Sequence, residues 1–416
     1  MSLKNILVVA ENLDVDASSG AKANQALIMN FYRAGFNVRV LHYTRKDIVL
    51  KGIEVVSIPE TKFTFFYFLS RSQRILTRML KFNMHHWLEG LFGFSFTFFN
   101  DCNSIVRSIR NENIENVDLL ISLSQGSSFR PHYALLKMPE YHEKWMAYIH
   151  DPYPFHFYPR PYNFVQPGFR KKEEFFLKLS QKAKYSAFPS MLLKSWMTSY
   201  FPAFNDTGII LPHQLTQEVA ISSEFSTLIL RRKFTMLHSG NMMPQRDPSF
   251  LLMAFVKFLS MHPDAINDAA LIFIGPLQTN DAVINKYKAD CENISFVNKQ
   301  VAFKEILKLQ NQAQVNVILE SVAEISPFLP GKFPHCVAAD KPILLLCPYY
   351  SESKRLLGEK YPYWAEANDV DKIAAIILEL FLSFKESKSE VSLNRPDLLA
   401  YCDYKYLKEQ LVKIGN

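Results

Sequence analysis

The chain has 416 residues, of which 48% are hydrophobic and 21% charged, and its mean hydropathy is −0.05. This length exceeds one ordinary core, so we expect two domains, each able to bury a core of its own. The net charge of +7 is modest for the length; it fits an acidic partner, but we expect no nucleic acid among the partners.

The five cysteines are scattered and never form a Cys-x-x-Cys pair. This predicts a reducing compartment, with no disulfide framework and no structural zinc. The first residues form a strand pattern rather than a signal peptide, and no apolar run reaches the roughly 18 residues that span a bilayer. We therefore expect a cytoplasmic protein, soluble or peripheral on the inner face of the membrane.

The N-terminal half alternates strand and helix patterns. A helix is predicted over Ala21–Ala34 and ends at Gly35. The predicted strands are Ile6–Ala10, Asn37–His42, Gly52–Ile58, Val117–Leu123, Lys144–Ile149, Ser186–Pro189 and Gly208–Leu211. Such alternation is typical of a parallel sheet wrapped by helices.

An aromatic and basic segment, Lys62–Phe99, interrupts this series. It combines many Phe, Leu and Trp residues with four basic residues (Arg71, Arg74, Arg78 and Lys81) and a single carboxylate, Glu89. A basic amphipathic helix of this kind is typical of a membrane-surface element. The alternative is a core helix whose solvated face is basic.

A second α/β series begins near Phe234. Its predicted strands and helices are Thr235–His238, the helix Pro248–Met261, Leu271–Gly275, Ile294–Val297, the helix Phe303–Gln312, Val315–Leu319, a helix after Lys332, and Ile343–Cys347. The predicted fold class is α/β, with two Rossmann-like doubly wound domains that face each other across a cleft. The expected domains are residues 1–212, residues 213–395, and a C-terminal helical segment 396–416 that returns to the first domain.

Two candidate sites follow strands of the first half. Gly20 lies in a small loop before a helix, where the backbone can approach a ligand, although capping of the helix by Ser19 explains the loop equally well. His150 and Asp151 follow a predicted strand, and the prolines after them prevent a helix. An imidazole and a carboxylate at a strand end can act on a reacting hydroxyl, so both are candidate catalytic residues.

In the second half, the segment Ser239-Gly240-Asn241 follows a strand, and Arg246 precedes the next helix. Small residues and a cation at a helix start suit phosphate oxygens. A second strand ends at Gly275-Pro276, where a tight turn can line a nucleotide base.

The most informative segment is S-P-F-L-P-G-K-F-P-H-C-V-A-A-D-K-P-I-L-L-L, residues 326–346. It predicts a Gly-Pro-broken loop with Lys332 at the start of a short helix, which favours a bound anion. We expect Lys332 and Arg246 to clamp a diphosphate as catalytic cations without any metal or cofactor. The other residues of this segment predicted to bind the diphosphate compound are Phe328, Pro330, Gly331 and His335.

Two stretches carry a resemblance to a known family. P-G-K-F-P-H-C-V-A-A-D-K-P-I-L, residues 330–344, is similar to P-G-K-L-F-E-Y-L-A-A-G-K-P-V-L of retaining GT-B glycosyltransferases, the large nucleotide-sugar-dependent group that includes bacterial envelope enzymes. H-S-G-N-M-M-P-Q-R resembles the family's strand-Gly segment with Arg and Lys five positions apart, with Arg246 on the second cation and Asn241 on the first. The resemblance implies that Lys332 binds the donor diphosphate and that His150 lies near the reacting sugar.

The sequence also departs from the family. Its Glu-x7-Glu pair would fall at positions 327 and 335, which here are Pro327 and His335, and Asp340 replaces a small Gly. The resemblance implies transfer of a sugar from a nucleotide-diphosphate donor to a hydroxyl of a polysaccharide or lipid-linked glycan, with retention of configuration. A non-catalytic envelope-assembly subunit and a GT-B epimerase or phosphorylase are the alternatives.

Overall fold

The structure is a computed structural model that describes residues 3–80, 84–216, 221, 223–277, 281–386 and 391–415. Lys81 of the basic segment lies outside the described residues. All five cysteines are free thiols; four are buried and Cys291 is half-buried.

The strands of the described chain are short and mostly buried. They are β1 (Asn5–Ala10), β2 (Asn37–His42), β3 (Glu54–Ser57), β4 (Leu119–Leu123), β5 (Trp145–Tyr148), β6 (Tyr185–Phe188), β7 (Gly208–Ile210), β8 (Phe234–Ser239), β9 (Ala269–Ile274), β10 (Ile294–Val297), β11 (Val315–Leu319), β12 (Ile325–Ser326), β13 (Ile343–Leu346), β14 (Tyr350–Ser351) and β15 (Trp364–Ala365). Every predicted strand is present, and no strand end differs from its predicted position by more than two residues.

The helices pack on the faces of the sheets. They are α1 (Ser19–Arg33), α2 (Phe65–Leu80), α3 (Met84–Phe92), α4 (Phe96–Arg110), α5 (Arg130–Leu136), α6 (Phe169–Lys182), α7 (Met191–Tyr200), α8 (Phe204–Thr207), α9 (Ser226–Ile229), α10 (Ser249–Met261), α11 (Asp281–Asp290), α12 (Phe303–Gln312), α13 (Phe333–Ala338), α14 (Glu352–Leu357), α15 (Val370–Glu386), α16 (Pro396–Tyr401) and α17 (Tyr404–Gly415). The Lys62–Phe99 segment therefore contains α2, α3 and the start of α4.

The chain forms two compact units. The first contains the described residues up to Tyr158, those from Tyr162 to Gln214, and those from Cys402 onward. The second contains Leu215–Tyr401 together with Pro159–Pro161. The predicted return to the first domain at residue 396 differs from this division, because Leu398 of α16 packs in the hydrophobic cluster of Phe333 in the second unit.

The first unit is built on a seven-stranded parallel sheet of order β3-β2-β1-β4-β5-β6-β7. Strands β1 and β4 are apolar on both faces because one hydrophobic cluster covers each side of the sheet. Helix α17 completes one of these clusters, with Leu407 and Leu411 packed among the same residues as Phe31 of α1. The Tyr185 hydroxyl also donates a hydrogen bond of 2.8 Å to the Ile414 carbonyl oxygen.

The second unit has a six-stranded parallel sheet of order β10-β9-β8-β11-β13-β15 and a two-stranded sheet of β12 and β14. Its largest cluster joins α10 and α15 on one face, where Phe258 and Phe381 meet ring edge to ring face. The strand order reverses between β1 and β4 in the first unit and between β8 and β11 in the second. In doubly wound sheets, ligands bind beyond the carboxyl ends of strands at such switch points.

Candidate functional site

The carboxyl end of β8 comes close to the carboxyl end of β9. The Gly240 N–H donates a hydrogen bond of 2.8 Å to the Ile274 carbonyl oxygen. Gly240 and Gly275 have φ values of +145° and +144°, and a Cβ atom on Gly275 would lie 2.3 Å from the Gly240 carbonyl oxygen. Only glycine fits at position 275, which is buried against the Gly240 backbone, whereas Gly240 itself is half-buried at this edge of the sheet.

Lys332 immediately precedes α13 and reaches over the end of β8. Its ammonium nitrogen lies 3.4 Å from Nε2 and 3.5 Å from Nδ1 of His238. A Cβ atom on Gly240 would lie 3.0 Å from the same ammonium nitrogen. The structure thus brings together Lys332 and the Gly240 segment, which lie about 90 residues apart in the sequence.

Arg246 lies close enough to act electrostatically on both groups. Burial, opposed by Cys336 and reinforced by the charge of Arg246, lowers the pKa of Lys332 to about 7. Burial also holds the pKa of His238 well below 6.5, with Lys332 and Arg246 adding to the effect. The Nε atom of Arg246 is buried and has no hydrogen-bond partner in the described part of the chain. Two neighbouring cations of this kind are stabilised by an anion that bridges them.

Glu320 directly follows β11 and was not among the predicted site residues. It is 4% exposed, and its carboxylate accepts hydrogen bonds from the hydroxyls of Ser351 at 3.2 Å and Ser353 at 2.7 Å. Burial raises the pKa of Glu320, and hydrogen bonds and the charge of Arg246 act in the opposite direction. A carboxylate placed after an apolar strand was the available signal, since the same rule identified His150 and Ser239.

The remaining predicted donor residues surround this edge. Ser239 is buried and accepts a 3.3 Å hydrogen bond from Gln310, a residue that sequence reasoning missed. Buried His335 meets Phe303 at a ring-centroid distance of 5.0 Å. The Pro276 carbonyl oxygen accepts a 3.0 Å hydrogen bond from the Met242 N–H. Phe328 and Pro330 are half-buried, and Asn241 and Gly331 are exposed.

His150 and Asp151 belong to the first unit. The His150 Nε2 atom lies 2.9 Å from Asn24 Oδ1, so a neutral ring donates from this nitrogen. Burial, then His213 and His132, hold the pKa of His150 well below 6.5. Neutral His150 therefore hydrogen-bonds rather than carrying charge. Asp151 faces the Tyr158 hydroxyl, and its charge adds to the burial that raises the pKa of Tyr158.

Gly20 lies in the first turn of α1, and a Cβ atom there would stand 3.7 Å from the Gly126 amide nitrogen. The helix cap is Ser18, whose hydroxyl accepts a 3.1 Å hydrogen bond from the Ala21 N–H; the prediction of Ser19 as the cap is wrong by one residue. Within the described ranges, no three His, Cys, Asp or Glu side chains are grouped so as to hold a metal ion. None of the helices in these ranges is both long and apolar enough to cross a membrane.

No family model matches the sequence, and no curated protein matches it. Solved structures do match over nearly the whole chain. The trehalose-6-phosphate synthase OtsA has a TM-score of 0.65 at 10% identity, with 99% of this chain and 98% of that chain covered. The chain shares the GT-B fold. The fold class predicted from the sequence is thus confirmed as two Rossmann-like α/β domains.

Two further structures give the same result. Anabaena HepE, in complex with UDP and glucose, has a TM-score of 0.58 at 10% identity, with 99% of each chain covered. A UDP-forming α,α-trehalose-phosphate synthase from Burkholderia xenovorans, in complex with glucose-6-phosphate, has a TM-score of 0.61 at 10% identity and the same coverage. At such low identity the likeness establishes the fold alone.

Proposed function

We propose that this protein is a retaining glycosyltransferase that moves a sugar from a nucleotide-diphosphate donor to a hydroxyl group. The single observation that supports this most strongly is the pair of Arg246 and Lys332, with Lys332 lying against Gly240 at the end of β8. A diphosphate carries several charged oxygens and matches a guanidinium and an ammonium group that lie near one another.

The reaction chemistry follows from this charge. When the bond between the sugar and the diphosphate breaks, negative charge grows on the leaving diphosphate. Cations that are already in place stabilise this charge without reorganising, which is often the largest contribution to catalysis. Arg246 and Lys332 would supply that stabilisation directly, so we propose a metal-independent step. The residues proposed to bind the rest of the donor are Ser239, Asn241, Pro276, Phe328, Pro330, Gly331 and His335.

The first unit would bind the acceptor. His150 stays neutral and donates from Nε2 to Asn24, so its other ring nitrogen, Nδ1, can accept a hydrogen bond from a sugar hydroxyl. Asp151 would orient the same substrate. Gly20 would allow close backbone approach at the start of α1. The complexes of the structural neighbours support a sugar acceptor, because one contains UDP and glucose and another contains glucose-6-phosphate.

The exposed surface of helix α2 supports contact between the protein and a membrane on which the acceptor is presented. Its packed face includes Ser70 and Gln73, which are 1% and 8% exposed. Its outer face instead carries an apolar row, in which Phe68, Ile75 and Met79 are 55%, 59% and 73% exposed. These positions recur at helical spacing. The apolar face of α2 is therefore not its core-packing face.

Arg71, Arg74 and Arg78 form a second, exposed row beside the apolar row at the same spacing. This arrangement suits an anionic lipid surface, where each arginine contributes about 1 kcal/mol of attraction. We extend the proposal accordingly to peripheral contact through residues 62–99 and to a lipid-linked or polysaccharide acceptor of the cell envelope.

Donor binding provides the direct test. The purified full chain is titrated with UDP-, GDP- and dTDP-linked sugars, and release of the nucleoside diphosphate is followed at high protein concentration. At least one donor should bind, and Lys332→Ala should weaken that binding at least tenfold, whereas Lys286→Ala, an exposed lysine on α11, should not. If no donor binds or is hydrolysed, the transferase proposal fails.

Vesicle flotation tests the membrane contact separately. Binding to vesicles with anionic lipid should exceed binding to neutral vesicles, and Ile75→Ser with Met79→Ser should abolish it. Leu177→Ser on α6, which is 43% exposed, is the matched control. Equal recovery with neutral and anionic vesicles would remove the membrane element from the proposal.

One observation favours a second candidate, a non-catalytic subunit with the same fold. His335 occupies the position at which the resembling enzymes carry a carboxylate, and it is 8% exposed beside Phe303. A scaffold need not retain nucleotide affinity, so the donor titration separates the two candidates. A GT-B epimerase or phosphorylase would also bind a sugar nucleotide or sugar phosphate, but would transfer no sugar to a glycan acceptor.

A further inference from the structure

The first unit contains a cavity of about 340 Å³ that none of the residues discussed above lines. Its walls come from the segments that directly follow β1, β2 and β4, including Glu11, Tyr43 and Gln125. It therefore lies at the switch point of this sheet, between β1 and β4. We call it the switch-point cavity.

The charged wall of the cavity is held rigidly. Arg130 donates from Nε to Asp101 Oδ2 at 2.9 Å and from Nη1 to Glu11 Oε1 at 2.7 Å. The Tyr43 hydroxyl donates to Asp101 Oδ1 at 2.7 Å. Asp101 and Glu11 are only 4% and 7% exposed, so this network is fixed before any ligand arrives. A pre-formed polar network of this type can orient a ligand at little entropic cost.

The formal charges of the lining cancel. Three acidic and three basic residues line the cavity, namely Glu11, Asp14, Asp101, Arg45, Lys46 and Arg130. Lys46 forms an ion pair with Asp14, and Arg130 is shared between two carboxylates. A phosphate group would meet carboxylates as well as cations here, so the cavity has no net charge to attract a dianion.

Hydrogen-bonding capacity nevertheless remains at the lining. Gln125 accepts a 3.0 Å hydrogen bond from Asn12 through Oε1, and its Nε2 donors have no partner among the described residues. The exposed Arg45 guanidinium likewise has no hydrogen-bond or ion-pair partner within the described part of the chain. Asp101 accepts two hydrogen bonds, and a carboxylate can accept about four. Free donors and free acceptor sites thus occur in the same cavity.

Hydroxyl groups match such a lining, because each one can donate to a carboxylate and accept from an amide or guanidinium. The volume lies near the lower end of the range of about 300–1,000 Å³ for small-molecule sites. We propose that the switch-point cavity binds an uncharged glycosyl unit, the hydroxyl-bearing end of the acceptor, through Gln125, Arg45 and Asp101. This inference rests on the proposed function, since it names the chemical class of that enzyme's acceptor.

Ligand-observed NMR on the full chain tests this proposal. The probes are the methyl glycosides of glucose, galactose, mannose and N-acetylglucosamine, each paired with its 6-phosphate. At least one neutral glycoside should bind, and it should bind about fivefold or more tightly than its own 6-phosphate. Gln125→Ala should weaken binding of the neutral probe about fivefold, as expected for the loss of one hydrogen bond. The exposed Gln181→Ala on α6 is the matched control and should bind as the wild type does.

Charge-changing variants test the neutrality of the lining. Asp101→Asn makes the lining positive and should shift the preference toward the 6-phosphate. Because Asp101 is buried in a network, Arg45→Gln provides a second variant at an exposed residue, and it should disfavour the 6-phosphate further. The proposal is overturned if no neutral glycoside binds, if the 6-phosphates bind more tightly to the wild type, or if Gln125→Ala has no effect.

The same samples are titrated with UDP, GDP and dTDP, so that two failures remain distinguishable. Glycoside binding without any nucleotide binding would refute the transferase and leave a sugar-binding cavity. Nucleotide binding without glycoside binding would refute the cavity assignment and leave the transferase.

Discussion

Lys332 should make nucleotide binding depend on pH in a range where the nucleotide itself does not titrate. With a pKa of about 7, about half of the Lys332 side chains are neutral at pH 7 and about nine-tenths at pH 8. A bound diphosphate should restore the charged form, because attraction to its oxygens opposes the burial and the Arg246 repulsion that lower the pKa of Lys332. Each binding event should therefore take up about half a proton at pH 7 and about nine-tenths at pH 8.

The sign and size of the affinity change follow from linkage. Since the complex binds more protons than the free protein, affinity falls as pH rises above the free pKa. The apparent Kd should increase about fivefold between pH 7 and pH 8, and the slope should approach tenfold per pH unit above that. The terminal phosphate of a nucleoside diphosphate has a pKa near 6 and is about nine-tenths ionised at pH 7, so it contributes little to this slope.

Calorimetry in buffers of different ionisation enthalpy measures both the Kd and the proton uptake. Lys332→Arg should bind with a flat profile because guanidinium stays charged throughout. Nearby groups are accounted for, since His238 is neutral in this range and burial raises the pKa of Cys336 to about 12. Glu320→Gln removes the carboxylate that faces Arg246 and should retain the slope. A wild-type protein with no proton uptake and a flat Kd would refute the assignment of Lys332 to the diphosphate.

Three further predictions concern the scaffold. Gly275→Ala should destabilise the second unit by about 2 kcal/mol or more in thermal unfolding, because the new Cβ atom would lie 2.3 Å from the Gly240 carbonyl oxygen. The control is Gly331→Ala, whose Cβ atom would have no neighbour within 4 Å and which should leave the Tm unchanged. Leu411→Ala should lower the free energy of unfolding by about 2–5 kcal/mol, because Leu411 is fully buried. Val412, its neighbour on α17, is 46% exposed, and Val412→Ala should lower it by less than about 0.5 kcal/mol. Equal losses in denaturant unfolding would contradict the packing of α17. Because burial holds the pKa of His150 well below 6.5, its ring should remain neutral at pH 6.5 by NMR. Stability should fall as the pH drops below this value, because the unfolded chain binds a proton that the folded ring does not, and a protonated ring at pH 6.5 would contradict the prediction.

The sequence predicted the strands well because parallel strands buried on both faces leave short apolar runs between turn residues. β2, β10 and β11 begin and end at the predicted residues. The structure of the aromatic segment after β3 was harder to predict from the sequence. Its apolar residues suggested one amphipathic element, but the non-helical residues 93–95 separate α3 from α4. Which apolar side chains stay exposed depends on packing against α4, which no periodicity reveals.

At the site, the rule that ligand residues follow strands found Ser239, Arg246 and Lys332 but not Glu320, although Glu320 obeys it. Its partners Ser351 and Ser353 lie some 30 residues later in the chain. The replacement of glycine by Asp340 has a local explanation that only the structure supplies. Asp340 adopts φ = +52°, a conformation that Asp tolerates, and its carboxylate accepts a 2.8 Å hydrogen bond from the Asn394 N–H.

Because helix α17 belongs to the first unit but comes last in the sequence, the order of synthesis affects how this unit folds. The ribosome releases α1 early and α17 only after the whole second unit has been made, yet both helices share one apolar cluster. Until then, the surface around Phe31 that α17 covers stays open to water and to chaperones. The domain that begins first is therefore the one that is finished last.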